Sequence, residues 1–461
     1  MIVLPMRDRL REEVREFLKL AIPLASAQVA QSATGFADTV MMGRMGPDVL
    51  AAGGLAAIVF MAIMTTLSGV VMGVSPLVAE AFGAGNRLRI EQVTRQGLWL
   101  ALLVSLPITH LTGHLDAWMR WMGQDNATVE LADTYLDIIQ WSLFPVAGFT
   151  VLRAMVSALS RARPVSITIV VGTAFNIIGN YVLGFGKFGF TAMGLEGLAL
   201  ATVLTWWGMF AALGLYVWLH PAMQGYRVFW GIRQLRLGCL RELAWVGVPI
   251  GLFSGLESGF FMTVMLMVGR LGTEALAAHQ VVLQTIAVVF MVPLGISFAT
   301  TVRVGQWLGR KDVLGIRQAA WVSAIATASF TGVVSIVFLL APEQVIGIYL
   351  DVNEPVNAPI VSLAVPLLTV AALAQVMDGL QKTVYGSLQG LQDTRVPMVL
   401  NAIGFWGIGL SLGYLLGFPM GMGSVGLWIG QSVSVAVVAA LFVWRFQQLM
   451  AACQQRFGER I

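Results

Sequence analysis

Gly43-Arg44-Met45-Gly46, followed by Leu50-Ala51-Ala52, returns in the second half of the chain as Gly269-Arg270-Leu271-Gly272, followed by Leu276-Ala277-Ala278. The offset is 226 residues (269 − 43), and it recurs. Pro23 pairs with Pro249, and Gly83 in Phe82-Gly83-Ala84-Gly85-Asn86 pairs with Gly309 in Leu308-Gly309-Arg310-Lys311-Asp312. Self-similarity over half a chain marks a duplicated structural unit. In a chain this apolar, the unit is a bundle of helices.

Composition fixes the solvent. Charged residues make up 11% of the chain, less than half of the roughly one quarter usual for a soluble domain. Apolar stretches of at least about 20 residues recur along the whole length, each sufficient to span a bilayer as a helix. Barrel strands would instead read as short alternating segments. Twelve spans are expected, near 17–43, 49–80, 92–112, 130–159, 165–185, 196–219, 242–269, 275–308, 317–340, 357–390, 396–417 and 424–447. The predicted fold class is an all-α integral membrane protein, with twelve transmembrane helices in two pseudo-symmetric six-helix bundles. Residues 1–225 form the N-terminal lobe and the start of a cytoplasmic linker, and 226–461 form the C-terminal lobe.

Lys and Arg set the orientation. They crowd the N-terminal arm (Arg7, Arg9, Arg11, Arg15, Lys19), alternate loops (Arg87, Arg89, Arg95; Arg161, Arg163; Arg310, Lys311, Arg317; Arg395) and the tail (Arg445, Arg456, Arg460). The mid-chain linker adds Arg227, Arg233, Arg236 and Arg241. The intervening loops hold only Arg44, Arg120, Lys187 and Arg270. Both termini are therefore expected in the cytoplasm of a multi-pass protein, in agreement with an even span count. Six spans per half make the repeat parallel, its axis along the membrane normal. Met1 to Lys19 is charged to its end, so a cleavable signal is not expected. Cys239 and Cys453 fall in cytoplasmic segments, where thiols stay reduced.

Several function classes are excluded. There is no Walker A loop, no HExxH, no GxSxG and no ligand-spaced cysteine pair, so the chain is read as a non-enzyme without a cofactor. The four histidines form no metal-ligand set, His110 and His114 being the one pair with suitable spacing. The basic balance belongs to loops beside the membrane and not to a nucleic-acid surface. With no ATP-hydrolysing loop, energy for any transport would come from an ion gradient.

Carboxylates within spans are costly and mark functional positions. Three lie well inside: Asp38, Glu257 and Asp378. Asp38 follows Thr34 and Gln31 on one helix face. It either faces an aqueous cavity and binds a cation or proton, or is satisfied by an Asn or Gln of a neighbouring helix. Asn176 and Asn180, four apart, share a face and are candidates to hydrogen-bond Asp38; ordinary interhelical polar contact explains them equally well. Glu257 lies beyond Pro249, after Ser254, with no basic neighbour on its own helix. Asp378 belongs to the stripe Gln375, Asp378, Gln381, Lys382, Tyr385. Lys382, four residues on, is placed to form an internal ion pair with Asp378. Gln280 and Gln284 are further supporting polar candidates. Phe36, Met41, Phe261 and Tyr385 are candidates to line a pocket for flat cations, or are packing residues.

Taken together, Pro23, Gln31 and Gly35-Phe36-Ala37-Asp38-Thr39-Val40-Met41-Met42-Gly43 resemble the first helix of the multidrug and toxic compound extrusion (MATE) family. Gly83-Ala84-Gly85-Asn86, Ala277-Ala278-His279-Gln280, Val302-Arg303-Val304-Gly305 and Leu391-Gln392-Asp393-Thr394-Arg395 resemble its recurring loops and helix ends. The resemblance covers essentially the whole chain and is closest to the NorM branch, which carries acids on helices one, seven and ten. It implies efflux of amphipathic, often cationic drugs and dyes across the bacterial inner membrane, by a monomer, in exchange for Na⁺ or H⁺. Glu257 and Asp378 would be cation ligands, for Na⁺ in some relatives. Asp38, Asn176 and Asn180 would form a second site whose protonation reshapes the first helix, with Pro23 and Pro249 as hinges. Two positions depart from the pattern: Ala374 stands where some relatives have Tyr, and Lys382 where an apolar residue is expected. A lipid-linked precursor flippase of related architecture is the alternative, and would want arginines lining a cavity, for which Arg153 and Arg303 are the candidates.

Overall fold

The computed structural model describes residues 6–121, 125–231 and 234–458, and every regular element among them is helical. Arg233 and Arg460 lie outside the described residues. The first half comprises α1 (Met6–Met45), α2 (Pro47–Val71), α3 (Val74–Gly83), α4 (Arg87–Thr112), α5 (Leu115–Trp121), α6 (Asn126–Ile139), α7 (Leu143–Ala158), α8 (Ala162–Gly179), α9 (Gly194–Leu219) and α10 (Pro221–Gln224). The second comprises α11 (Leu237–Gly269), α12 (Thr273–Gly309), α13 (Val313–Leu340), α14 (Pro342–Ile346), α15 (Ala358–Gly390), α16 (Arg395–Ala402), α17 (Leu410–Gly417) and α18 (Gly423–Gly458). Among the described residues, ten stretches are long and apolar enough to cross a membrane, matching ten of the expected spans. The other two, 17–43 and 92–112, are helical within α1 and α4 but less apolar. Gln28, Gln31, Ser32, Thr34 and Asp38 dilute the first, and Arg95, Gln96, Thr109 and His110 the second.

The chain forms two compact units: Met1–Ala25 with Phe253–Ile461, and Ser26–Leu252. They differ from a simple division at 225/226. The crossings fall within α1 and α11, two residues after Pro23 and three after Pro249. Proline lacks the N–H that would bond the carbonyl four residues earlier, so each helix is weakened in the turn just before it leaves one unit for the other.

Close backbone contact holds each transferred stretch in place. In one unit, a Cβ on Gly69 of α2 would lie 2.6 Å from Gly251 Cα of α11, and one on Gly247 would lie 1.8 Å from the Val70 carbonyl oxygen. In the other, a Cβ on Gly295 of α12 would lie 2.3 Å from Ala25 Cα of α1. Gly69 and Gly295 share the 226-residue offset, as do Ala25 and Gly251. Small residues let membrane helices approach this closely.

Other local geometry is duplicated too. Gly46 and Gly272, before α2 and α12, have φ of 128° and 117°, which L side chains rarely adopt. A π-helical segment follows α8 at Asn180–Gly184, and another links α16 to α17 at Ile403–Gly409, spanning the offset partner of Asn180.

Ion pairs anchor the ends. Glu13 on α1, 2% exposed, accepts from Arg303 Nε of α12 at 2.9 Å and from Trp307 Nε1 at 2.9 Å, and also pairs with the Arg303 terminal nitrogen. Arg9 pairs with Asp312 nearby. In the other unit, Arg89 of α4 pairs with Glu242 of α11, both more exposed.

Candidate functional site

In the unit containing Ser26–Leu252, α1 meets α8 along a polar seam. Ser26 and Ser166 hydroxyls lie 3.2 Å apart, Thr173 donates to the Ala30 carbonyl at 3.4 Å, and Thr34 makes a long contact to Thr173 at 3.5 Å. At the far end Asn180 Nδ2 donates to Asp38 Oδ1. Positions 26, 30, 34 and 38 recur every helical turn, so they share a face. Gln31, also expected on this stripe, is partly buried.

The Asp38 site rests on a hydrogen-bond chain. Asn176 and Asn180 are 1% and 0% exposed. Asn180 Nδ2 also donates to Asn176 Oδ1 at 3.2 Å, and Asn176 Nδ2 donates to Thr202 Oγ1 of α9 at 3.1 Å. Thr202 in turn donates to the Leu198 carbonyl at 3.1 Å. An ionised carboxylate only accepts, so Asp38 fixes the Asn180 amide with its nitrogen inward. Among the described residues, no Lys, Arg or His lies within ion-pair distance of Asp38. Its partners are neutral.

The C-terminal carboxylates are arranged differently. Lys382 Nζ of α15 donates to Glu257 Oε2 of α11 at 2.7 Å, the two side chains being 9% and 17% exposed. The ammonium also stands 5.2 Å from the Phe253 ring centre and 5.4 Å from that of Phe290. The expected pairing within α15 is thus replaced by one between helices. Asp378 is partly buried and, among the described residues, has no ion-pair partner. Glu257, read from its own helix as lacking a basic neighbour, is the one with the tethered cation. Gln375 and Gln381 flank Asp378 at 3% and 0% exposure, and neither amide atom of Gln381 has a hydrogen-bond partner among the described residues.

The remaining candidates are more scattered. Phe36 is 73% exposed and Met41 partly buried. Phe261 packs beside Phe260 and Phe405. Tyr385 is buried and stacks on Phe253 with ring centres 3.9 Å apart, within the packed interior of its unit. Gln280 donates to Met265 Sδ at 3.6 Å, and Gln284 is exposed. Buried His279 accepts from Trp428 Nε1 at 3.0 Å. Thr202, Thr173, Ser166 and Phe290 enter these networks without a signal in the sequence, because isolated Ser, Thr and Phe residues are common in membrane helices.

Intramembrane carboxylates on a duplicated helical scaffold define a class, a multi-pass membrane transporter, and known proteins of this fold agree. The structure superposes on the outward-facing conformation of a multidrug resistance MATE family transporter of the MOP superfamily with a TM-score of 0.88, covering 96% of this chain and 97% of that one at 20% identity. A MOP superfamily transporter from Pyrococcus furiosus gives a TM-score of 0.87 at 21% identity, covering 96% and 97%. The MatE family model matches twice, over residues 23–182 and 249–415, each match beginning at one of the paired prolines. A probable multidrug resistance protein NorM of Synechocystis is 50% identical over 96% of both chains. The multidrug resistance protein NorM of Burkholderia vietnamiensis is 38% identical over 93% of this chain and 92% of its own. The chain belongs to the MatE family and is of NorM type.

Proposed function

We propose that the protein is a secondary active multidrug efflux antiporter, exchanging Na⁺ or H⁺ for amphipathic, often cationic drugs by alternating access. The names of its NorM relatives support the efflux reading. The observation that carries the ion-coupled part is the setting of Asp38 on α1: a carboxylate that accepts from the neutral Asn180 amide, itself tied to Asn176, with no Lys, Arg or His within ion-pair distance among the described residues. Such a group accepts an exchangeable positive charge, which a permanently paired one cannot. Asp38, Asn176 and Asn180 form the coupling site, with Gln31 and Thr34 beside it, and Pro23 and Pro249 are the hinges. Phe36, Met41 and Phe261 are the substrate-lining candidates. Twelve spans, both termini in the cytoplasm, a bacterial inner membrane and a monomeric state complete the reading.

In the working cycle, ion uptake at the outward-facing carboxylate favours drug release. The units then reorient, the ion leaves and drug enters from the inside. A near-complete population swing requires the ion to favour one state by about 5.5 kcal/mol. The flippase alternative gains no specific support: Arg303 is engaged by Glu13, and Arg153 donates to Gln28 at 3.3 Å.

The test is dye efflux from vesicles carrying the chain, with ΔpH and Na⁺ gradients imposed separately. Wild type should pump under at least one gradient. Asp38→Asn should lower the initial rate at least about tenfold, equivalent to ~1.4 kcal/mol of barrier. Absence of efflux under both gradients would sink the antiport reading. Wild-type rates in Asp38→Asn would remove Asp38 from it.

A further inference from the structure

We propose that Lys382 is a built-in counter-cation for Glu257 that closes the Glu257–Asp378 region to Na⁺ and leaves ion coupling to Asp38. The inference rests on the antiport reading and deepens it by assigning the two acidic regions different roles.

The geometry begins with occupancy. The Lys382 ammonium is at hydrogen-bonding distance from Glu257, 2.7 Å, where an incoming cation would have to bind. It is enclosed further by the faces of Phe253 and Phe290, which attract an ammonium through their ring quadrupoles. Both partners of the ion pair are largely withdrawn from solvent. A Na⁺ bound to Glu257 would displace the ammonium from its hydrogen bond and stand beside it with little screening. A tethered like charge at that range opposes occupancy.

Ligand chemistry points the same way. Na⁺ is a hard cation and takes oxygen ligands, whereas the ammonium that contacts Glu257 and the two rings that enclose that ammonium offer none. One turn before Asp378 on α15, Ala374 presents a methyl group. The oxygens left on this part of α15 are the Asp378 carboxylate and the Gln381 amide, unpartnered among the described residues, and a cation at Asp378 would sit within the field of the fixed Lys382 ammonium. The Asp38 site has the opposite character, with amide and hydroxyl groups in its network and no fixed cation among the described residues.

The experiment uses the full-length chain, purified in detergent, with its unfolding midpoint measured in NaCl and in choline chloride of equal ionic strength. Wild type and Asp38→Asn are compared with Glu257→Gln, Lys382→Met and Lys382→Arg. No Na⁺ response sensitive to Glu257→Gln is expected in wild type or in Lys382→Arg. Lys382→Met, confirmed as folded by circular dichroism, should gain a saturable rise in midpoint with Na⁺ that Lys382→Met/Glu257→Gln loses. A saturable Na⁺-dependent rise in wild type that Glu257→Gln abolishes would overturn the proposal. So would a folded Lys382→Met with no Na⁺ response. The wild-type comparison decides the matter even if Lys382→Met does not fold. Dye efflux in vesicles reports separately on antiport, so failure of that reading and failure of the Lys382 assignment are distinguishable.

Discussion

Asp38 and Glu257 lie in the corresponding helices of the two repeats, yet one is held by an amide and the other by an ammonium. They are not offset partners: Val264 stands at the offset of Asp38, and Gln31 at that of Glu257. The scaffold was copied and the chemistry was not. The glycine crossings, the paired prolines, the positive-φ glycines and the π segments recur at matched places, and at the glycines backbone geometry leaves little room for change. A Cβ at Gly69 or Gly295 would meet backbone at 2.6 or 2.3 Å. A polar side chain needs only a partner, which any neighbouring helix can supply. The two halves are thus free to diverge in electrostatics while keeping the same packing.

The anchored ends show this difference most strongly. Glu13 is 2% exposed and braced by Arg303 and Trp307, whereas the Arg89 and Glu242 side chains are 31% and 40% exposed. Glu13→Gln leaves Arg303 buried without its counter-charge, and should destabilise the protein by about 3–5 kcal/mol. Glu242→Gln disturbs a solvated pair and should cost about 0–1 kcal/mol. Equilibrium unfolding of the two variants in mixed detergent micelles measures both. Equal losses would break the comparison.

At mid-span, a double-mutant cycle sharpens the contrast. Glu257→Gln strands the Lys382 ammonium between Phe253 and Phe290, and Lys382→Met strands the carboxylate. Each should destabilise by about 3 kcal/mol or more, and the double variant by less than the sum, with a coupling energy of about 1–3 kcal/mol. Asp38→Asn has no buried cation to strand, and should cost about 1 kcal/mol in the same assay. A coupling energy near zero would remove the ion pair as the organising feature of the C-terminal carboxylates.

Much of the scaffold is legible in the sequence. The 226-residue offset located the duplication, and apolar length located twelve helical stretches, ten of which are apolar enough by composition to span. Two features were not readable. The compact units exchange the beginnings of α1 and α11, because cross-helix packing at Ala25 and Gly251 outweighs order along the chain. The partner of Lys382 is the second. Spacing along one helix nominates Asp378 at i−4, but the rotation of α15 against α11 brings Glu257 to the ammonium instead. Single-helix periodicity finds which residues share a face. It does not tell which neighbouring helix that face meets.

The Asp38 network offers the smallest and most local test. Asn180 touches the carboxylate directly, while Asn176 acts one link further away and is itself tied to Thr202. Asn180→Ala removes the donor and leaves a partly buried carboxylate unsatisfied, so it should destabilise by about 1–2 kcal/mol and impair dye efflux along with Asp38→Asn. Asn176→Ala removes an ordinary interhelical contact, for which membrane proteins average about 0.6 kcal/mol, and should leave most efflux intact. The order matters more than the size. If Asn176→Ala harms efflux as much as Asn180→Ala, the network acts as one cooperative chain reaching from Asp38 to α9. If both variants pump normally, the neutral amides only pack α1 against α8, and Asp38 works without them.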